Sequence, residues 1–254
     1  MKEHSELVSK VAGADVYTVA KADHANQVDI PDIVFVANGG FSLRGLPEPI
    51  VVLPQMKYKQ RKDELPFLME IFADQGLNMV EFPSDEPFEG QAEAKWFHGT
   101  DLLICGYGHR STKKSFDVLD SLLKKIYKLY GKKSPKILAL PLESADYYHL
   151  DVAMLEFGDD SCIVHKRAFS PASIKKLEKA LGKRKVHVID TDDKFCLNAV
   201  VQGRTLFTHV VSKEVKDYLE KITGLKIVQT NTDVFEKSGG SVRCMIMDIH
   251  PLIQ

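Results

Sequence analysis

The feature that most restricts the fold of this chain is a repeated unit of strand, short turn, strand, helix and strand. Copies of the unit run over residues 33–82, 92–140, 148–189 and 196–229. Units of this size are commonly single supersecondary blocks that bury their apolar faces only against their neighbours. The repeat therefore predicts an assembly of similar α/β blocks, and the alternative is an ordinary mixed α/β domain with coincidental spacing.

The units are marked by apolar periodicity and by helix-ending glycines. Strands are predicted at residues 33–37, 50–53, 78–82, 101–106, 136–140, 152–157, 161–165, 185–189, 199–201, 205–208 and 226–229. Helices are predicted at residues 64–75, 115–130, 171–181 and 213–223, and they are followed by Gly76, Gly131, Gly182 and Gly224.

A fifth unit begins at residues 241–250, with an apolar strand predicted at 245–249, and the sequence ends soon afterwards at residue 254. A helix predicted at residues 3–12 and a strand at 15–19 would complete this unit from the other end of the chain. A ring closed by its own two ends leaves no sheet edge exposed. No segment rich in Gly, Ser or Pro divides the chain, so residues 1–254 are expected to form a single domain.

Composition limits the classes of partner. The 34 basic and 35 acidic residues leave a formal charge of −1, so nucleic acid is not an expected partner. No apolar run has the length of a signal peptide or a membrane span, which predicts no membrane association. The 4 cysteines are widely spaced, which is typical of a reduced, cytoplasmic protein. No metal site or cofactor is expected, and a homo-oligomer is left open.

Polar residues recur at equivalent places in the units, at the turn that follows each predicted first strand. In a ring, these turns would point toward a common axis. The residues are Asn38, Glu89, Glu93, Arg110, His149, Asp151, Asn198 and Cys244. Their convergence would build one site from distant parts of the chain.

Cys244 and His149 are a candidate nucleophile and base. Cys244 follows Gly239 and Gly240, which allow close backbone approach. On a strand, His149 and Asp151 would face the same side, so the carboxylate would either orient the imidazole or bind a cationic substrate. Taken singly, a lone Cys is more often a buried small hydrophobe and a lone His a structural residue.

The acidic candidates suit a planar cation. A guanidinium offers five N–H donors in a fixed fork that carboxylates match. Glu89 and Glu93 would supply such carboxylates, although a solvated acidic loop is the simpler interpretation. Arg61 and Arg110 would clamp a substrate carboxylate, with solvated charge as the alternative.

The ordered set of motifs FVANGG, FEGQAEA, GYGHRS, YYHLDVA, FCLNAV and GGSVRC resembles the superfamily of arginine deiminases, dimethylarginine dimethylaminohydrolases and amidinotransferases. The similarity is greatest to the short arginine dihydrolase-like members and extends from about residue 31 to residue 249. The resemblance implies a five-bladed, pseudo-symmetric α/β propeller, the pentein fold. This agrees with the repeat.

The resemblance also implies roles for the residues at matching positions. It makes Cys244 the nucleophile and His149 the general acid and base. Glu89 would either orient His149 or hold a guanidinium nitrogen. The substrate-binding residues implied are Asn38, Asp151, Arg61, Arg110 and Glu93. Glu93 stands in place of an Asp usual in the family, and Asn38 stands where classical deiminases have Asp.

The expected function is hydrolysis of guanidinium C–N bonds of arginine through a Cys thiouronium intermediate. An amide at position 38 can donate as well as accept hydrogen bonds, which would permit a second hydrolysis to ornithine. Dimethylarginine hydrolysis and amidino transfer are the enzymatic alternatives. A non-catalytic pentein that only binds a partner is the alternative of another class, and a cysteine protease does not explain the carboxylates.

Overall fold

A computed structural model describes Leu7, Lys10, Val11 and residues 30–97 and 99–250. Within these residues the chain forms 3-stranded sheets, each built from consecutive strands. In every sheet the first strand pairs antiparallel with the second, and the second pairs parallel with the third. A helix connects the two parallel strands. The predicted unit of strand, strand, helix and strand is confirmed in all of its complete copies.

The strands are β1 Phe41–Ser42, β2 Ile50–Val52, β3 Asn78–Val80, β4 Ala94–Trp96, β5 Leu102–Tyr107, β6 Lys136–Pro141, β7 Met154–Phe157, β8 Ser161–His165, β9 Val186–Ile189, β10 Val200–Gln202, β11 Thr205–Thr208 and β12 Lys226–Gln229. The α-helices are α1 Lys59–Lys62, α2 Leu65–Asp74, α3 Lys113–Leu129, α4 Leu150–Ala153, α5 Pro171–Leu181, α6 Lys213–Thr223 and α7 Asp233–Glu236. Short 3-10 turns lie at Pro31–Val34, Val36–Asn38, Gly90–Ala92, Ala145–Tyr147, Lys183–Lys185 and Arg243–Met245.

Helix α5 shows why several predicted boundaries are correct. The Ser170 hydroxyl accepts a hydrogen bond from the backbone N–H of Ser173 and caps the first turn. Pro171 occupies the first helical position, where its missing N–H costs nothing. Gly182 ends the helix with φ of 104°, in the left-handed region that favours glycine. Local chemistry thus sets both ends of this helix.

Each long helix packs on its own sheet, and neighbouring sheets share a core. Helix α3 buries Phe116, Leu119 and Leu123 against Leu103 of β5, and Phe41 of β1 belongs to the same cluster. Full burial of such side chains contributes about 1.5–3 kcal/mol each. The first two sheets are therefore joined by a continuous apolar contact.

Two predicted strands are wrong because side chains bind the backbone groups that a sheet would use. Residues 33–37 form successive 3-10 turns instead, and Nη2 of Arg61 contacts the carbonyls of Asp32 and Phe35. Residues 245–249 also form no strand. There the N–H of Asp248 donates to the side chain of Gln91.

Most of the polar candidates precede the first strand of a sheet rather than follow it, which corrects the predicted placement. Arg110 instead follows β5, and Cys244 precedes no described strand. We call the segments Val36–Asn38, Gly90–Ala92, Leu150–Ala153, 194–198 and Arg243–Met245 the inner turns. Consecutive members contact one another, and the last contacts the first. The inner turns thus gather side chains from all the sheets.

The predicted N-terminal strand at residues 15–19 lies outside the described residues, and only Leu7, Lys10 and Val11 of the predicted helix at 3–12 lie within them. Leu7 and Val11 are buried in a cluster that also contains Phe35, Val242 and Cys244. No helix in the described part of the chain is long and apolar enough to cross a membrane.

Candidate active site

Cys244 lies in the inner turn Arg243–Met245, and its side chain is buried. Its Sγ is 3.4 Å from Oδ2 of Asp151 and 3.2 Å from Nδ2 of Asn198. Burial, and then the negative charge of Asp151, raise the pKa of the Cys244 thiol. The sulfur is therefore a neutral thiol near neutral pH, and a cation placed beside it would favour the thiolate.

His149 is the residue that precedes helix α4, and Asp151 lies in the first turn of that helix. The strand geometry considered for His149 and Asp151 does not apply, because the N–H of Val152 donates to the carbonyl of His149 and closes a helical turn. The turn still serves the predicted convergence. It carries the imidazole that contacts Glu89 and the carboxylate that contacts Cys244.

Glu89 is a buried carboxylate with three different donors around it. Its Oε2 is 2.7 Å from Nε2 of His149 and 3.0 Å from Nη1 of Arg110, and its Oε1 accepts from the N–H of Lys57 at 3.1 Å. Burial alone would raise the pKa of Glu89, but the bonds and charges of His149 and Arg110 lower that pKa to about 2. Glu89 therefore remains ionised and holds the imidazole in place.

Glu93 belongs to the same acidic segment but has the opposite electrostatic character. Its Oε1 is 3.8 Å from Nε2 of His149 and accepts from the N–H of Ser111 at 3.2 Å. Burial, and then the charges of Glu89 and Asp151, raise the pKa of Glu93 well above its usual range. The pKa values of two neighbouring carboxyl groups are thus shifted in opposite directions by their surroundings.

Two carboxyl oxygens in this region lack a hydrogen-bond partner: Oε2 of Glu93 and Oδ1 of Asp151. Both residues are fully buried, at 0% exposure. A buried acceptor without a partner costs about 1–3 kcal/mol, so such atoms are rare without a reason. A ligand with several N–H donors would satisfy both.

Asn38 is held by a buried arginine in one orientation. Nη1 of Arg61 donates to Oδ1 of Asn38 at 2.8 Å, which directs Nδ2 of Asn38 toward Nε2 of His149 at 3.3 Å. Arg61 also forms a two-bond ion pair with Glu64 at 2.8 Å for each bond. The alternative of a solvated charge is wrong for Arg61, which is 5% exposed. A contact between Arg61 and a substrate carboxylate stays a prediction.

Arg110 closes one side of the site. Its guanidinium lies between the rings of Tyr58 and Tyr148, at 4.8 and 4.9 Å from their centroids, while it pairs with Glu89. The hydroxyl of Tyr148 donates to the carbonyl of Gly239. These contacts link the loop that carries Arg110 to the segment that leads to Cys244, and the predicted carboxylate-binding role of Arg110 stays a prediction.

The glycines before Cys244 allow the close approach that the sequence suggests. A Cβ added to Gly240 would lie 2.3 Å from Cε1 of Phe35, and one added to Gly239 would lie 2.9 Å from the hydroxyl of Tyr148. Gly239 also has φ of 94°. Side chains at these positions would displace the turn that carries the nucleophile.

Sequence reasoning missed the partners that position the predicted residues. Asn198 was recognised by its place in the repeat but without a role, and it contacts the sulfur directly. The spacing of three residues between Arg61 and Glu64 is a signal for an ion pair on a helical turn. Tyr58 and Tyr148 carried no signal beyond their nearness in sequence to other candidates.

Comparisons with known proteins agree with this geometry. Residues 1–251 match the family model described as N,N dimethylarginine dimethylhydrolase, eukaryotic. The bifunctional arginine dihydrolase/ornithine cyclodeaminase ArgZ of Synechocystis is 28% identical over 86% of this chain, and the chain covers 29% of that protein. The N(G),N(G)-dimethylarginine dimethylaminohydrolase of Mycobacterium tuberculosis is 26% identical over 87% of this chain and 67% of its own length.

The fold is that of solved members of the same group. The N-terminal domain of ArgZ bound to product superposes with a TM-score of 0.81 and 27% identity, over 97% of this chain and 84% of that domain. A dimethylarginine dimethylaminohydrolase with 13% identity gives a TM-score of 0.70 over 96% of this chain and 86% of its own, which supports the fold alone. The chain therefore belongs to the eukaryotic N,N-dimethylarginine dimethylhydrolase family and, with its arginine dihydrolase homologues, to the guanidine-modifying superfamily.

Proposed function

We propose that this protein hydrolyses guanidinium C–N bonds of arginine, as an arginine dihydrolase or deiminase with Cys244 as the nucleophile. The observation that carries the proposal is the pair of partnerless oxygens on Glu93 and Asp151, buried beside a thiol and an imidazole. A guanidinium would supply the missing N–H donors. The relatives' arginine dihydrolase activity, as their names give it, points to the same substrate.

The first half-reaction uses the thiol and the imidazole. A guanidinium lying next to Asp151 offsets the charge that disfavours the thiolate, so binding itself activates the sulfur. Sγ of Cys244 forms a bond to the central carbon while His149 takes up the thiol proton, and the bond from this carbon to a terminal nitrogen then breaks. His149 donates a proton to one terminal nitrogen, which leaves as ammonia. An S-alkylthiouronium remains on Cys244.

The second half-reaction returns the enzyme to its starting state. His149 takes a proton from water, the hydroxide forms a bond to the same carbon, and the C–S bond breaks. The product is citrulline, and the sulfur regains its proton. A second cycle on the ureido group would release a second ammonia, with the carbon leaving as carbon dioxide, and would give ornithine.

Glu89 and Asn38 have supporting roles in this scheme. Glu89 holds the imidazole through the 2.7 Å contact. Nδ2 of Asn38, directed by Arg61, is a donor at the wall where a ureido oxygen would lie. Arg110 is proposed to bind the substrate carboxylate. Arg61 could bind that carboxylate only if it released Glu64 or Asn38, its present partners.

The proposed architecture is a single five-bladed α/β propeller over residues 1–254, with the terminal segments completing the fifth blade. The cyclic contacts of the five inner turns support it, and four of these turns lead into the described sheets. A blade number other than five in a crystal structure of the full chain would refute this part of the proposal.

Amino-acid analysis after incubation with arginine, citrulline or dimethylarginine tests the reaction. Ornithine with two ammonia indicates a dihydrolase, citrulline with one ammonia a deiminase, and citrulline with dimethylamine the second candidate, which the family match favours. A new guanidino compound in the presence of an amine would indicate amidino transfer. Cys244→Ser is the control that should form none of these products.

A binding-only protein is separated from an enzyme by measuring thiol labelling and ammonia release together. Arginine should protect Cys244 from iodoacetamide in either case if it binds at this site, but only an enzyme releases ammonia. Binding of arginine with no product from any of the three substrates would overturn the proposed function.

A further inference from the structure

Asn198 is a fully buried amide whose four hydrogen bonds join two inner turns. Its Oδ1 accepts from the backbone N–H groups of Arg243 and Cys244, at 2.9 and 3.3 Å. Its Nδ2 donates to the carbonyl of Asp151 at 3.2 Å and lies 3.2 Å from Sγ of Cys244. One side chain therefore contacts both the backbone and the sulfur of the nucleophile.

The four partners require an amide at position 198. Arg243 and Cys244 present N–H donors, so the atom facing them must accept. The Asp151 carbonyl and the Cys244 sulfur present acceptors, so the other atom must donate. Asn meets both demands at this length of side chain, whereas Asp can only accept when ionised.

The same contacts oppose the effect of Asp151 on the sulfur. The Oδ2 of Asp151 places negative charge 3.4 Å from Sγ, which disfavours the thiolate. The Nδ2–H of Asn198 approaches the sulfur as a donor, and hydrogen bonds to a charged form favour that form. Because Asn198 also holds the carbonyl of Asp151, it fixes the spacing between the thiol and helix α4.

We propose that Asn198 is a catalytic residue that stabilises the Cys244 thiolate through Nδ2 and aligns the nucleophile through Oδ1. This inference rests on the proposed function only for its effect on turnover. Its effect on the reactivity of the thiol follows from the contacts themselves and is measured without any substrate.

The test compares Asn198→Asp with the wild-type protein and with Asn231→Asp. Asn231 is a partly buried residue just before helix α7, where its Oδ1 accepts from the N–H of Asp233, a bond that an Asp can also accept. The control therefore makes the same amide-to-acid change without touching the sulfur. Alkylation of Cys244 by iodoacetamide is followed from pH 6 to 10 by mass spectrometry.

We expect Asn198→Asp to shift the pH profile of alkylation to higher pH and to slow alkylation at pH 8 by at least ~10-fold. The kcat for arginine should fall by ~10²–10³-fold, as for loss of a preorganised donor, with a smaller change in KM. Asn231→Asp should match the wild type in both measurements.

An Asn198→Asp protein that is folded by circular dichroism and keeps the wild-type alkylation profile would overturn the proposal. If this variant does not fold, Asn198→Ser replaces it, with alkylation expected to slow by at least ~3-fold and an unchanged rate counting against the proposal. If the wild type turns over no guanidine, the proposed function fails, while the alkylation profiles still decide the role of Asn198.

Discussion

Two buried histidines in this molecule each lie beside two acids, yet their surroundings differ. His209 uses both ring nitrogens, with Nδ1 2.6 Å from Glu236 and Nε2 2.9 Å from Asp193. In His149 a single nitrogen, Nε2, faces Glu89 at 2.7 Å and Glu93 at 3.8 Å. The same residue types are thus arranged either around the whole ring or on one side of it.

In the His209 cluster, formed with Asp193 and Glu236, both ring nitrogens have hydrogen-bond partners. The His149 cluster, formed with Glu89 and Glu93, contains an atom without one. Burial by itself would lower the pKa of His209, but its two acids raise that pKa to about 9, so it is a charged link between the end of β11 and helix α7. The His149 cluster contains a partnerless carboxyl oxygen and adjoins the turn that carries a thiol. Unsatisfied polar atoms, more than the presence of His and acids, separate a candidate site from a structural ion pair.

The sharpest test of the comparison is a pair of alanine variants measured for turnover. We expect His149→Ala to lower kcat by at least ~10³-fold, since a general acid and base contributes about 10²–10⁴-fold. His209→Ala should retain kcat within about threefold at a temperature where it is folded. Ammonia release measures both, and similar losses in the two variants would contradict the distinction.

For stability, the order of the two variants should be reversed: His209→Ala should have the larger effect and His149→Ala the smaller one. His209→Ala leaves Asp193 and Glu236 without their shared cation and should lower the free energy of unfolding by about 2–3 kcal/mol. His149→Ala should change stability less, because Glu89 keeps Arg110 and the N–H of Lys57 as donors. Urea unfolding followed by fluorescence gives both values, and a more stable His209→Ala protein would count against the structural role.

His209 should cause the stability of the protein to fall as the pH rises above 6.5. Its pKa is raised from 6.5 to about 9 on folding, so its contribution is fully present below pH 6.5 and is lost as pH rises toward about 9. The loss should be on the order of 2 kcal/mol. His209→Gln should flatten this limb in urea unfolding from pH 6 to 9.5, and an unchanged slope would contradict the assignment.

Glu89 should cause the stability of the protein to fall as the pH is lowered below 4.5. Its pKa is lowered from 4.5 to about 2, so its contribution is present above pH 4.5 and disappears as pH falls toward about 2. Glu89→Gln should therefore weaken the dependence of stability on pH below 4.5, as measured by thermal unfolding. The control is Glu214→Gln, a change at an exposed residue in the first turn of helix α6.

The smallest expected effect concerns the wall of the His149 cluster. Asn38→Asp replaces the donor Nδ2 by an acceptor while keeping an oxygen for Arg61. We expect the ratio of ornithine to citrulline to fall by about tenfold, because a ureido oxygen would lose its donor. Chromatography of the products measures this ratio, and an unchanged ratio would refute the role of Asn38.

The sequence predicted elements well where local signals agree. Residues 161–165, 171–181 and 226–229 have the predicted boundaries, as caps, glycines and apolar runs coincide there. It failed at residues 33–37, where an apolar run normally indicates a strand but Arg61, distant in sequence, holds the carbonyls. Tertiary contacts of this kind cannot be predicted from the sequence of the segment whose conformation they change.

The sequence predicted which residues belong to the candidate site, but only part of how these residues contact one another. The repeat predicted that Cys244, His149 and Asp151 lie close together. In the structure, Cys244 contacts Asp151 in helix α4, and His149 directly precedes that helix. The repeat could not distinguish Glu89 from Glu93, because their protonation depends on which buried groups surround each. Nor could it show that the donors of Arg61 are already engaged by protein groups.

The inner turns have a consequence for what activity would report. The groups around the thiol begin different sheets, so their spacing depends on how the sheets pack against one another, and each sheet could keep its own hydrogen bonds while that packing loosens. Turnover would then be a more sensitive gauge of inter-sheet order than any spectroscopic measure of helix and strand content. In a denaturant series, catalysis should vanish first and circular dichroism afterwards.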